Sequence, residues 1–436
     1  MKVLKFGGTS VGSAERMKGV AGLINNDEPK IIVLSALSGT TNSLVEICNS
    51  LYKNKPEQAA EILSTLEEKY FKVVDELYST KEFKSKGREF ITSRFDFIRS
   101  LTKDDFNGIE EKKILAQGEL ISTELFHYYL TEAKIDSVLL PALNFMRIDT
   151  NNEPDKYYIK ENLVRELGLY ADKKLFITQG YICKNLHGEV DNLKRGGSDY
   201  TASLIGVALN SEEVQIWTDI SGFHNNDPRV VENTYSISQL SFDEAAELAY
   251  FGAKVLHPST VLPAKVANVP VRLKNTMKPE DEGTLITDKP TGDGIKAVAA
   301  KEGITVVKVK SGRMLLAYGF LTKVFQVFEH YETPIDMITT SEVAVSVTID
   351  DASRLRKIVE ELKSLGEVEV SKNMTIVCLV GHNIMSQKGY IKKVFEALND
   401  FSLRMISYGG SRHNISILIP SDDKKAVLEA LHKSLF

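Results

Sequence analysis

Lys5 to Arg16 read KFGGTSVGSAER, directly after the apolar start MKVL. The segment runs from a short strand, through two adjacent glycines and two hydroxyls, into a helical pattern. Backbone N–H groups, a cation and a helix N-terminus are thereby brought together, which suits an anion and a phosphate in particular. The spacing is neither G-x-x-x-x-G-K-S/T nor G-x-G-x-x-G, so neither usual nucleotide fingerprint applies. A Gly-Gly turn alone says little, because any tight turn between strand and helix favours glycine for its free φ.

Further strand-like runs follow: KIIVLSAL, SVLLPA, LFITQGYI, VQIWTDI and VPVRLKN, separated by segments of helical period. This alternation predicts an α/β domain with a mostly parallel, helix-covered sheet, whose ligand crevice lies at the carboxyl ends of the strands. Leu44 to Leu130 is long, charged and helical in period, as expected of amphipathic helices packed over the sheet. Within it, ILAQGELIST places Gly118 as an interruption of a helix, next to Glu119. The Pro-, Gly- and Asp-rich stretch TLITDKPTGDG, 284–294, predicts a domain boundary.

After that boundary the chain repeats itself. GFLTKVFQVFEHYETPIDMITTSEVAVSVTIDD and GYIKKVFEALNDFSLRMISYGGSRHNISILIPSDD each read as helix, strand, polar turn, strand and further helix, and each follows a strand. Two βαββα units predict two similar α+β modules. The first has a closing strand, EVEVSK, and the second has none. The spare GIKAVAA supplies the missing edge, so Ile295 to Ala300 is expected to pair into the second module, with the first module inserted within it.

At 436 residues the chain is too long for one core, and a net charge of −5 does not point to nucleic acid. Cys48, Cys183 and Cys378 lie far apart without metal-ligand spacing, so they read as buried thiols in a reducing compartment. No apolar run approaches the ~20 residues of a membrane span, and the first residues lack the features of a signal peptide. A cytoplasmic protein without membrane association is expected.

Several other segments carry polar groups suited to chemistry. KRGGSDYTASLIG offers a second Gly-Gly turn opening a helix, with Arg195, Ser198 and Asp199 beside it; Ser198 or Asp199 also suits a helix cap. WTDISGFHNNDPRVV places Thr218 and Asp219 at a strand end and Arg229 ten residues later. FGAKVLHP sets Lys254 after a small-residue turn. Two lysines, two arginines and several glycine turns at strand ends predict a polyphosphate pocket.

KFGGTSVG, VLSALSGTTN, QGE, RGGSDYTA, WTDISG, DPRVV, GAKVLHP and ITTSEVAVSVTID, in this order, resemble the signature motifs of the aspartokinases over almost the whole chain. ISYGGSRHNISILIP resembles the second ACT module of the monofunctional, lysine-sensitive class. No homoserine dehydrogenase extension follows, as expected of the monofunctional form. The resemblance implies an amino-acid-kinase α/β sandwich at 1–290, then a linker and a strand of the second ACT module at 291–303. The first ACT module at 304–372 and the second at 373–436 would complete the chain, as ferredoxin-type modules with one nested in the other.

The implied activity is phosphorylation of the side-chain carboxylate of L-aspartate by ATP with Mg²⁺. This is the first step of lysine, threonine and methionine biosynthesis. By the motif match, Lys5, Gly7, Gly8, Thr9 and Ser10 would hold ATP phosphates, with Thr218, Asp219, His224, Arg229, Lys254 and Val255 completing the nucleotide site. Ser35, Thr41, Glu119, Tyr181, Arg195, Gly196, Gly197 and Ser198 would surround aspartate. Lys5 and Lys254 would neutralise the transferring phosphoryl group, and Asp199 would orient both. Arg195 would take the substrate α-carboxylate and Glu119 its α-ammonium. No residue cluster for a metal is implied.

A lysine effector would meet Met314, Ala317, Phe320, Leu321, Pro334, Ile335, Asp336, Ser341 and Glu342, where the carboxylates of Asp336 and Glu342 suit its ammonium groups. Asp336 and Ser341 also read as ordinary turn residues, and Phe320 and Leu321 as a helix's core face. ACT modules expose edges that pair with another copy, so a homodimer or homotetramer is expected. The chain departs from the family pattern at Lys194, where glycine is usual, in the loop CKNLHGEVDN, which lacks the usual Thr-rich run, and at His224, where many members have tyrosine. His224 reads equally as a nucleotide contact or as a turn residue. The rival activities are another amino-acid kinase, acting on glutamate, N-acetylglutamate or a nucleotide monophosphate, and a non-catalytic amino-acid sensor.

Overall fold

The computed structural model describes the chain except residues 103–105, 194–195, 253–255, 257, 290, 315–317 and 387, with backbone only at 258, 259 and 313. The described chain forms two compact units, residues 1–223 with 255–288 and residues 224–254 with 289–436.

In the first unit seven strands lie side by side in the order Val138–Leu140, Leu175–Gln179, Lys30–Leu34, Lys2–Phe6, Val214–Thr218, Val271–Asn275, Thr284–Thr287. The first six are parallel, and Thr284–Thr287 closes antiparallel. Lys2–Phe6 is central, with Val3 matched to Ile31 on one side and Val214 on the other. Lys30–Leu34 and Leu175–Gln179 are buried at every residue, which is why they read as continuous runs and not as alternating ones.

The charged stretch after Leu44 forms four helices, Thr40–Tyr52, Pro56–Leu77, Lys81–Leu101 and Gly108–Glu132. Pro56–Leu77 shows why they hold. Ala59, Leu63, Leu66, Tyr70, Val73, Val74 and Leu77 recur at helical spacing on its buried face. Each large side chain contributes about 1.5–3 kcal/mol by leaving water.

Gly118 does not interrupt its helix, which runs unbroken from Gly108 to Glu132. A Cβ at Gly118 would lie 2.8 Å from the Ala36 Cβ and 3.4 Å from Thr40 Cγ2. The glycine therefore lets the helix approach the loop after Lys30–Leu34, which tertiary packing demands and helical period does not signal. The stretch expected as a boundary loop also starts as strand, Thr284–Thr287, because its backbone pairs with Val271 to Leu273.

In the second unit six strands form one antiparallel sheet in the order Ile338–Thr340, Ala344–Ile349, Gly294–Lys310, Glu367–His382, Asn414–Pro420, Met405–Tyr408. Ala297 to Ala300 pair with Val380 to Val377, and Val307 to Lys310 pair with Val370 to Glu367. Two long strands thus serve both modules, with register shifts around Ile304 where one module passes into the other. The first module is nested in the second, and the two share a sheet. Its core gathers Val307, Val324, Phe328, Val347 and Ile358; that of the second gathers Val298, Val377, Ile417, Val394 and Leu428.

Residues 224–254, expected within a continuous domain 1–290, instead group with the carboxyl-terminal residues. Val298 N–H donates to the Asn225 carbonyl at 2.8 Å, and the Asn226 side-chain amide donates to the Leu428 carbonyl at 3.1 Å. Glu244, fully buried, pairs with Lys296 at 2.8 Å, and Val231 joins the core of the second module. Buried polar groups of this kind must be paired, so they bind the segment to that unit.

Two glycine substitutions separate close approach from helix propensity. Gly118→Ala should destabilise by about 1–3 kcal/mol through overpacking. Gly22→Ala should stabilise by about 0.5–1 kcal/mol, because a Cβ there meets nothing within 4 Å. Thermal melting of both variants checks the signs, and a stabilised Gly118→Ala protein would contradict the packing account.

Candidate active site

The site in the first unit grows from the carboxyl end of Lys2–Phe6. Lys5 points its ammonium at Asp199, with Nζ 2.5 Å from Oδ1; the two side chains are 11% and 14% exposed. Asp199 stands in the first turn of the helix Gly197–Ala208, where a negative charge is favoured by the backbone N–H groups. Neither Ser198 nor Asp199 caps that helix. The cap is Gly196, at φ 76° and with no side-chain bond, a left-handed conformation that glycine adopts at little cost. Relieved of capping, the Asp199 carboxylate is directed to Lys5.

The KFGGTS turn spends part of its polar equipment on itself. Gly7 N–H donates to the Trp217 carbonyl, while Ser10 and Val11 N–H donate to the Gly7 carbonyl. Ser10 is buried, with its hydroxyl 2.7 Å from Thr276 Oγ1 and 3.3 Å from the Trp217 carbonyl. Arg16 holds the Thr9 carbonyl at 2.6 Å, and the helix begins at Ala14, capped by Ser13. A Cβ at Gly7 would lie 3.3 Å from Lys5 Nζ, and one at Gly8 would lie 3.1 Å from the Ala36 carbonyl. These glycines keep the space over Lys5 open.

Glu119 reaches the same region from the helix Gly108–Glu132. Its Oε1 accepts from Ala36 N–H at 3.2 Å, and its Oε2 is buried without a hydrogen-bond partner among the described residues. Burial pushes the carboxyl up to about 8, against the pull of the Ala36 and Glu119 backbone amides and the more distant Lys5 charge. The adjoining loop is fastened by the Ser122 hydroxyl, which donates to the Ser35 carbonyl at 2.7 Å. Thr41 lies in the first turn of Thr40–Tyr52.

Tyr181 has φ 67°, an unusual conformation for an aromatic residue, and its N–H donates to Thr201 Oγ1 at 3.0 Å. Burial and then the Glu119 charge raise its phenol to about 12. Gly180 and Gly197 accept this turn: a Cβ on Gly180 would meet Ser198, and one on Gly197 would meet the Tyr181 ring. The unit thus gathers Lys5, Gly7, Gly8, Ser35, Glu119, Tyr181, Gly197, Ser198 and Asp199 around the strand ends. Thr218 and Asp219 end the neighbouring strand, with the Thr218 hydroxyl donating to Asp219 at 3.1 Å. Arg195, Lys254 and Val255 lie outside the described residues.

His224 and Arg229 belong to the second unit. The His224 Nδ1 is 3.2 Å from Thr234 Oγ1, and burial lowers the pKa of the ring. Arg229 is 78% exposed and binds Asp227 through Nε and Nη2. Of the positions matched to an effector, Phe320 is core, while Met314 and Ile335 pack at that core's edge. Leu321, Pro334, Ser341 and Glu342 are exposed, Asp336 is buried against Lys301, and Ala317 lies outside the described residues. The sequence reading did not single out Ala36, Ser122, Lys301 or Tyr250. No periodicity marks them, because their partners lie between 35 and 87 residues away.

The first unit thus carries a buried lysine–carboxylate pair between two glycine turns at the ends of a parallel sheet, and the family it belongs to is that of the amino acid kinases. The model of the amino acid kinase family matches residues 1–275, and an ACT domain model matches 377–435. The lysine-sensitive aspartokinase 3 of Escherichia coli is 35% identical over 452 residues, spanning 100% of this chain and 99% of that protein. Aspartokinase 1 of Arabidopsis thaliana is 33% identical, spanning 100% of this chain and 80% of its own. Among solved structures, E. coli aspartokinase III with aspartate and ADP superposes with a TM-score of 0.87 at 34% identity, covering 100% of both chains. The form with lysine and aspartate gives 0.86 at 34% identity, covering 100% of this chain and 99% of that one. The chain belongs to the aspartokinase family.

Among the described residues no helix is long and apolar enough to cross a membrane.

The position of Glu119 has a pH consequence. Its carboxyl titrates near 8 in the folded chain against an ordinary 4.5, so between those values the folded state binds more protons than the unfolded one. Stability therefore falls as pH rises through this window, by at most ~1.4 kcal/mol per pH unit. Glu119→Gln removes the term, so its melting temperature relative to the parent should climb from pH 4.5 to pH 8. A constant difference across ligand-free melts would show that Glu119 is not desolvated.

Proposed function

We propose that this protein transfers the γ-phosphoryl group of ATP to the side-chain carboxylate of L-aspartate, giving 4-phospho-L-aspartate and ADP, under feedback inhibition by lysine. The observation that carries the reading is the buried Lys5–Asp199 pair close to a buried carboxyl, Glu119, whose second oxygen lacks a partner among the described residues. A cation for phosphate and an anion for an amino group are what a kinase of a free amino acid requires.

The nucleophile is a carboxylate, already ionised near neutral pH, so no general base is needed. Its oxygen bonds to the γ-phosphorus as the bond to ADP breaks, and the electron pair leaves on the β-phosphate oxygen. The barrier lies in bringing two anions together, and fixed positive charge lowers it. Asp199 holds Lys5 in one rotamer, which makes the ammonium a pre-placed cation for the transferring group. Lys254 is its proposed counterpart, with Gly7 to Ser10, Thr218, Asp219, His224, Arg229 and Val255 completing the nucleotide site.

An α-ammonium at Glu119 would supply the missing donor for Oε2 and restore its ionised form. Arg195 would take the α-carboxylate, and Ser35, Thr41, Tyr181 and Gly196 to Ser198 would enclose the substrate. Among the described residues no three metal-ligating side chains gather. Mg²⁺ would enter with the nucleotide, since this ion commonly takes phosphate oxygens, water and one or two carboxylates. Asp219 is the carboxylate suited to join it, and the ion would offset phosphate charge. The ACT modules would pair with those of another copy in a homodimer or homotetramer.

ADP release measured with aspartate, glutamate and uridine monophosphate tests the activity. Turnover is expected with aspartate alone, and its absence there would overturn the reading. Lys5→Ala should lower kcat at least ~10²-fold, whereas a near-normal rate would remove Lys5 from the mechanism. Lysine at millimolar concentration or below should inhibit. Asp336→Ala should raise the inhibitory concentration at least about tenfold, and equal inhibition of both proteins would remove Asp336 from the effector site.

A further inference from the structure

Asp336, the buried carboxylate of the proposed effector site, already has a cation. Its Oδ1 accepts from Lys301 Nζ at 2.7 Å and from the Tyr250 hydroxyl at 3.0 Å. The side chain is 2% exposed, and Oδ2 has no hydrogen-bond partner among the described residues. Lys301 also reaches Asp350 Oδ2 at 2.9 Å, a carboxylate that is 42% exposed. The Tyr250 ring lies 4.6 Å from the same ammonium. Burial and then the Asp336 charge hold the Tyr250 phenol up to about 12, so it remains a donor at neutral pH.

Tyr250 ends the helix Phe242–Tyr250, which residues 289–436 of the same unit grip at three points. Glu244 pairs with Lys296 at 2.8 Å, Glu247 accepts from the Asn414 amide at 2.5 Å, and Tyr250 donates to Asp336. Positions 244, 247 and 250 recur every three residues, so they share one side of the helix. Lys296 and Asn414 belong to the second module. Tyr250 alone of the three engages the module that carries the proposed effector site. Four residues further along the sequence stands Lys254.

Resting on the lysine-effector reading, we propose that Lys301 is an internal ligand of Asp336 which an effector ammonium displaces onto Asp350, releasing Tyr250 and so altering the hold on helix 242–250. One ammonium balances the Asp336 charge, and a second arriving at Oδ2 divides the attraction. Lys301 has another carboxylate within reach, so it changes partner without becoming an unpaired buried charge. One lysine against two aspartates leaves the trio at a formal charge of −1, which a monocation neutralises. With Lys301 displaced, Tyr250 loses its cation partner and shares its acceptor with a competitor. The effector thus acts by a differential contact at Asp336, which is what coupling between two sites requires.

The test uses the full-length enzyme with Lys301→Gln, Asp350→Asn and Tyr250→Phe, reading lysine inhibition of aspartate-dependent ADP formation and lysine binding by calorimetry. Removing the internal competitor in Lys301→Gln should lower the inhibitory concentration at least about fivefold. Removing its refuge in Asp350→Asn should raise it by a similar factor. Tyr250→Phe should bind lysine within about twofold of the parent yet lose most of the inhibition. Asp350 is half-exposed, so Asp350→Asn keeps the test decisive should Lys301→Gln fail to fold. Shifts of the same sign in the first two variants, or an unchanged response to Asp350→Asn, would overturn the displacement. If lysine binding also survives Asp336→Ala, the effector reading itself fails; if Asp336→Ala abolishes binding, only the displacement does.

Discussion

The Lys5–Asp199 ion pair is the constraint around which the first unit is organised. Both side chains are largely withdrawn from water, and a buried ion pair gains little unless its geometry is held by its surroundings. Breaking such a pair by removing one partner costs about 3–5 kcal/mol, because the other charge is left uncompensated. Lys5 stands one residue before the end of the central strand, and Asp199 lies in the first turn of a helix almost two hundred residues later. Joining them sets the helix against the sheet at the strand ends. The glycines at 7, 8, 180 and 197 are the steric condition for this arrangement, since a Cβ at each would meet a neighbour.

Against that background Glu119 is a deliberate imbalance. A buried carboxyl, with one oxygen bonded to a single amide and the other unpaired among the described residues, is costly to ionise. Such a group contributes little to stability, and under the proposed function an arriving ammonium would repay what folding left unsatisfied. The second unit handles its buried carboxylate differently. Asp336 is met by Lys301 and Tyr250, so its charge is matched within the chain. The Glu119 carboxyl has room for a cation, and Asp336 already has one in Lys301 that also reaches Asp350.

Much of this organisation was legible in the sequence. Lys30–Leu34 and Leu175–Gln179 show as largely apolar runs because both faces are buried, whereas Val271–Asn275, buried at alternate residues, keeps Arg272 and Lys274 on its other face. The nesting of one module in another followed from a missing edge strand and a spare one at 295–300, because a sheet must complete its hydrogen bonds. Gly118 misled, since a helical glycine signals a break and a close approach in the same way. The grouping of residues 224–254 with the carboxyl-terminal unit was also illegible, since it rests on single pairs such as Glu244 with Lys296.

By itself the sequence determined the elements, their order, the modular repeat and the residue types assembled at the strand ends. These are local properties, carried by period, composition and turn chemistry within a few residues. The tertiary structure alone decided which charges meet. Asp199 turns to Lys5 because Gly196 takes over as the cap, Glu119 is buried because Gly118 lets its helix approach, and Lys301 faces Asp336 because the strand that carries Lys301 pairs with Ala344–Ile349, whose Thr348 carbonyl holds the Asp336 N–H. Those outcomes depend on distance and desolvation between residues far apart in the chain, and no pattern along one stretch of sequence encodes either.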